Sequence, residues 1–132
     1  MQQYTTSDRT GVTILNTSGQ GSSATVPAEL QGWNWGAFLL TWVWGIGNRV
    51  WLALLALIPI PLVRLAMAVL LGLKGNEWAW QAKRWGSIEQ FRRTQRIWLY
   101  WGIAALLAPI VFIIGMALIV VGILGYYGYI NF

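Results

Sequence analysis

The chain has 132 residues, 57% of them apolar and 10% charged, with a net charge of +5, ten tryptophans and neither cysteine nor histidine. A soluble domain is about 25% charged and about 45–50% apolar, so this chain has too few charges to coat a water-facing globule and too many apolar residues for disorder. It reads as a membrane protein of a single domain, and the missing Cys and His exclude a thiolate or imidazole zinc site, a His-ligated haem, a Cys or His nucleophile and a disulfide.

Residues 1–31 are rich in Thr, Ser, Gly and Gln, a mixture that buries too little apolar surface to offset the entropy of ordering it. The expectation is a flexible, disordered N-terminal tail, with a short strand at Val12-Thr13-Ile14-Leu15 as the alternative. No basic start followed by an apolar core and a cleavage site is present, so no secretory signal is expected.

The membrane domain is expected over 32–132. Its first apolar stretch, 33–47, rises only ~22 Å as a helix against a hydrocarbon core of ~30 Å, which suits an interfacial or re-entrant segment better than a crossing. Trp33, Trp35, Trp42 and Trp44 fit that reading, because an indole N–H seeks a polar partner at headgroup depth. Gly45, Gly47 and Asn48 then suggest a turn ending at Arg49.

The stretch 50–73 is long enough to cross, but Pro59-Ile60-Pro61 removes two N–H donors near its middle. It is expected as a kinked span or a helical hairpin. Arg64 is an intramembrane charge within it. Two readings stand: a snorkelling arginine at the interface, or one neutralising a helix C-terminus or a partner carboxylate.

Residues 74–96 hold Lys74, Lys83, Arg84, Arg92, Arg93 and Arg96 against Glu77 and Glu89, a net charge of +4. The positive-inside rule puts this segment on the cytoplasmic side. Gly75 is expected to end one helix and Asn76 to cap the next, while Ser87-Ile88-Glu89-Gln90 matches a capping box. Trp78, Trp80 and Trp85 interleave with the bases, and Trp78 and Trp85 share a helix face while Trp80 lies on another. That arrangement suits anionic lipid headgroups or a partner protein and makes a poor groove-reading helix, so no nucleic-acid partner is expected. The candidate contact residues are Lys83, Arg84, Arg92, Arg93, Arg96, Trp78, Trp80 and Trp85.

From Ile97 onward no charged side chain occurs. A transmembrane helix is expected over 97–124, with Trp98, Tyr100 and Trp101 at one end, Tyr126, Tyr127 and Tyr129 at the other, and a kink or division at Pro109. The fold class is therefore all-α: short or broken helices plus one transmembrane helix.

No reactive constellation stands out. Glu77 and Glu89 are twelve apart on a basic segment unsuited to acid–base work by a carboxylate pair, and no G-x-x-x-x-G-K-[ST] loop occurs. No catalytic residue and no metal is expected, and no cofactor follows from the residues. The W-x-W pairs Trp33-Asn34-Trp35, Trp42-Val43-Trp44 and Trp78-Ala79-Trp80 read as interfacial anchors, with a stacked pigment, quinone or lipid headgroup as the alternative.

The run Gly32-Trp33-Asn34-Trp35-Gly36-Ala37-Phe38-Leu39-Leu40, then Trp42-Val43-Trp44-Gly45-Ile46-Gly47-Asn48, then Gly72-Leu73-Lys74-Gly75-Asn76-Glu77-Trp78-Ala79-Trp80 with Trp85, resembles a group of small Trp-rich bacterial and cyanobacterial membrane proteins classed as a domain of unknown function. The likeness covers about 32–102. It implies a bacterial inner-membrane or thylakoid location and a shared unit of short helices, and it transfers no activity, cofactor or site. Together these readings lead to a non-enzymatic membrane protein that docks as an accessory or assembly subunit of a larger membrane complex, a photosynthetic one if the source is photosynthetic. The alternative is a small oligomeric channel or carrier, suggested by the broken helices and Arg64.

Overall fold

Helix ends in this chain are set by a few polar and proline residues lying between apolar runs. Asn34 caps the first helix, α1 (Trp35–Leu40), with its Oδ1 accepting the Ala37 N–H at 2.9 Å. Thr41, at φ 43° and ψ −108°, separates α1 from α2 (Trp42–Asn48). The expected turn at Gly45–Asn48 is helical instead, and the chain turns one residue later at Arg49, which sits in the left-handed region at φ 59°. Two contacts explain the shift. Asn48 Nδ2 donates to the Trp44 carbonyl at 2.9 Å, and the bare Cα of Gly45 lets α2 lie directly against Ala53.

The computed structural model describes residues 5–7 and 13–131. They fall into two units, Met1–Gly102 and Ile103–Phe132. The fold is all-helical apart from one small hairpin, in which β1 (Thr5–Ser7) pairs antiparallel with β2 (Thr13–Leu15).

The proline break divides 50–73 into a 3₁₀ helix, Trp51–Leu57, and α3 (Pro61–Ala82), which pack on each other. Ile60 is extended and Pro61 opens α3 at its first position, where its missing N–H has no partner to lose. Contrary to expectation, α3 does not stop at Gly75 or restart at Asn76. Gly75 is buried, and a Cβ there would lie 2.9 Å from that of Ala37, so it serves helix contact rather than termination. Gly72, one turn earlier, receives the Trp33 ring in the same way.

The second capping signal holds at Ser87, while Gln90 reaches back one residue further than a capping box does. Ser87 Oγ accepts the Gln90 N–H at 3.0 Å, and Gln90 Oε1 accepts the Gly86 N–H at 2.6 Å. From there α4 (Ile88–Ile130) continues through Pro109 without interruption. Its segment 88–102 belongs to the first unit. Trp44, Leu71, Trp80, Ile88 and Phe91 are the large fully buried apolar side chains of that unit.

In the second unit, every residue over 103–131 is exposed except half-buried Gly115. Among the described residues α4 is the one helix long and apolar enough to cross a membrane. A helix that is apolar on all sides and satisfies its own backbone hydrogen bonds is the form in which a single chain segment can enter hydrocarbon.

The tail expectation divides. Residues 1–4 and 8–12 lie outside the described residues. Residues 16–30, expected to be part of a flexible tail, instead form a strap on the first unit, because hydroxyls and amides do there what apolar burial does elsewhere. Asn16 Nδ2 donates to the Trp85 carbonyl at 2.6 Å, and Ser18 Oγ accepts the Trp85 N–H at 2.8 Å. Gly19, at φ 80°, donates its N–H to the Trp80 carbonyl at 2.9 Å, and a Cβ there would lie 2.9 Å from the Arg84 backbone nitrogen. Asn16, Ser18, Ala24 and Leu30 are buried.

Candidate functional site

The basic segment forms two environments. Lys83–Ser87 links α3 to α4 under the strap, and the rest of the segment is helical. Trp80 and Trp85, expected at a lipid or partner surface, are instead 1% and 2% exposed. Both pack edge-on against Phe91, with ring centroids 5.7 and 4.9 Å away. Their indole N–H groups donate to the carbonyls of Thr25 and Ala79. Satisfying a polar indole internally is what permits a tryptophan to leave the interface for the core.

Arg92 is likewise engaged, with Nη2 3.0 Å from a Glu29 carboxylate oxygen and donating to the Glu29 carbonyl at 3.2 Å. Lys83 Nζ lies 4.9 Å from the centroid of the Trp85 ring, a cation–π placement that covers the buried indole. Of the predicted contact residues, Arg84, Arg93 and Arg96 are exposed, while Lys83 and Trp78 are half-buried. Arg64 is exposed on α3. It lies about 200° around the helix from Leu62, on the side that carries Leu71 and Gly75 further along.

A feature the sequence reading passed over sits between α1, α2, α3 and α4. Asn34 Nδ2 donates to Asn76 Oδ1 at 2.7 Å and to Gln95 Oε1 at 3.0 Å. The same Gln95 oxygen accepts the Trp44 indole N–H at 2.8 Å, and Gln95 Nε2 donates to Asn48 Oδ1 at 2.9 Å. The amide orientations are fixed by groups that have only one role. The Ala37 and Trp44 N–H groups can only donate and the Trp44 carbonyl can only accept, so Asn34, Gln95 and Asn48 each have one consistent orientation. Every fully buried side-chain nitrogen and oxygen among the described residues has a partner. The signal was present as three asparagines, Asn34, Asn48 and Asn76, placed within or beside apolar runs.

Beside this network a cleft of about 220 Å³ opens between the start of α1, the middle of α3 and the first part of α4. Arg96 and Leu99 form one wall and Trp33 and Trp35 another, with Asn34, Asn76 and Gln95 at its polar side. No carboxylate lines it. The arrangement offers hydrogen-bond donors and aromatic surface and no nucleophile or acid–base pair.

The first unit also carries an apolar stripe. Leu62, Leu65, Val69 and Leu73 fall on one side of α3, and Leu62 and Leu65 are 76% and 60% exposed. Trp51, Leu52, Leu54, Leu55 and Leu57 of the 3₁₀ helix are exposed as well.

No family model matches the chain, and no curated protein and no solved structure matches it either.

Proposed function

We propose that the protein is a non-enzymatic, membrane-anchored docking subunit, accessory to a larger membrane complex or to its assembly. In this reading α4 supplies the crossing, in a bacterial inner membrane or a thylakoid membrane, and segment 74–96 faces the cytoplasmic side. In a thylakoid the complex would be photosynthetic. The same proposal groups residues 32–102 with the small Trp-rich membrane proteins they resemble. In this reading Arg93 and Arg96, both exposed, meet anionic headgroups, each such base contributing about 1 kcal/mol near a charged bilayer.

The observation that carries docking is the exposed stripe Leu62, Leu65, Val69 and Leu73 beside the proline-broken 3₁₀ helix. Exposed apolar area of this kind marks an interaction surface. Lipid is a poor cover for it, because the break at Pro59-Ile60-Pro61 leaves backbone without regular helical hydrogen bonds, and such backbone is tolerated at membrane depth only against protein or water. A partner protein satisfies both needs. A photo-crosslinking residue at Leu65 in native membranes is expected to give an adduct with one protein species, and adducts with lipid alone would contradict the reading.

A further inference from the structure

We infer that the cleft between Trp33, Trp35, Asn76 and Arg96 is a binding site for a phosphate group. The argument is an accounting of donors and acceptors. Asn34 Oδ1 is taken by the Ala37 N–H, Asn76 Oδ1 by Asn34, and Gln95 Oε1 by both Asn34 and Trp44. Each side-chain amide oxygen lining the cleft is therefore already engaged, Gln95 Oε1 by two donors and Asn34 Oδ1 and Asn76 Oδ1 by one each.

Counted over the whole lining, arginine and indoles included, free donors outnumber free acceptor sites. An amide nitrogen carries two hydrogens; Asn76 Nδ2 spends one on a long contact, 3.4 Å, to the Gly32 carbonyl, and Gln95 Nε2 spends one on Asn48. The Arg96 guanidinium and the indole N–H groups of Trp33 and Trp35 have no hydrogen-bond partner among the described residues. One fixed positive charge, several N–H donors and no lining carboxylate make a site for an oxyanion. Donors arriving from three elements match the several oxygens of a phosphate, with the arginine fork as the strongest contact. The nearest acid in sequence, Glu77, is held by Lys74 at 2.8 Å.

The aromatic rim and Leu99 suit a phosphate that carries an apolar or glycerol-like remainder, as an anionic lipid headgroup does, although inorganic phosphate meets the same donors. The inference does not depend on which protein the stripe on α3 contacts.

The test uses the full chain in neutral detergent, titrated calorimetrically with inorganic phosphate and, separately, with phosphatidylglycerol in mixed micelles. Saturable binding of either is expected. Binding of lipid alone identifies a headgroup site, and binding of inorganic phosphate alone identifies a soluble ligand. Binding of both shows that the phosphate suffices. Arg96→Gln removes the charge at an exposed position, and Asn76→Asp keeps the oxygen that Asn34 needs while turning the free donor into a repelling anion. Each is expected to raise Kd about tenfold or more. If Asn76→Asp lowers the melting temperature, Arg96→Gln alone decides. Absence of binding to both probes, or a Kd that Arg96→Gln leaves unchanged, overturns the assignment.

Discussion

Replacing Gln95 with leucine is expected to destabilise the first unit by about 3 kcal/mol or more, since it leaves several buried polar groups unpaired at about 1–3 kcal/mol each. The Trp44 indole N–H and Asn48 Oδ1 lose the partner that Gln95 provides, and Asn34 Nδ2 loses one of two. Trp44 and Asn48 are fully buried, so neither can turn to bulk solvent for a new partner. For a unit of this size, each 1 kcal/mol moves Tm by about 4–8 °C, so thermal unfolding followed by circular dichroism in detergent should show a fall of more than about 10 °C. Arg93→Gln, on the exposed side of the same helix, should change stability by less than about 0.5 kcal/mol. A Gln95→Leu protein that melts with the wild type would mean that the network does not hold the four helices together.

The second large effect is expected for Trp85→Ala, at about 3–5 kcal/mol from the lost aromatic volume and the cavity it leaves. Trp85 sits where strap, loop and α4 meet. Its ring packs 4.9 Å from Phe91, and its backbone holds Asn16 and Ser18. Those backbone contacts survive the substitution, but the packing that fixes this backbone does not, so the strap should loosen and limited proteolysis should begin to cut within 16–30. Trp35→Ala gives the contrast, because that ring is 55% exposed and its removal should cost little stability. If Trp85→Ala instead left folding intact and weakened only membrane or partner binding, the sequence reading of Trp85 as a surface contact would be right and the burial argument wrong.

The contrast between these tryptophans shows what the sequence made legible. Local chemistry read well. Ser87 and Gln90 cap α4, Pro61 opens α3, and the uncharged run after Arg96 is helical, though undivided at Pro109, and exposed from Ile103 on but for half-buried Gly115. Residues whose role depends on a distant partner did not read well. Gly75 looks like a helix end in one dimension and is a contact point in three, because Ala37 approaches it. Trp80 and Trp85 carry the same signature as interfacial tryptophans, and what makes them core residues is acceptors 55 and 6 positions away in the chain, respectively. The strap was missed because its hold is polar, through Asn16, Ser18 and Glu29, and composition alone scores such residues as tail.

The candidate cleft followed the same rule. Arg96 was singled out for its charge, whereas the amides that shape its surroundings come from α1, α3 and α4, and no window of sequence contains them together. Arg64 stood out for the opposite reason, as a charge in an apolar run, and helical geometry places it away from the stripe that faces outward.

The central claim, that this is a docking subunit, is tested most directly by its state in native membranes. Extraction in mild detergent followed by affinity isolation and native mass measurement should bring down a larger complex containing the chain in fixed stoichiometry, and Leu62→Gln with Leu65→Gln should release it. Recovery of the wild-type chain as a lone monomer under those conditions would contradict the account.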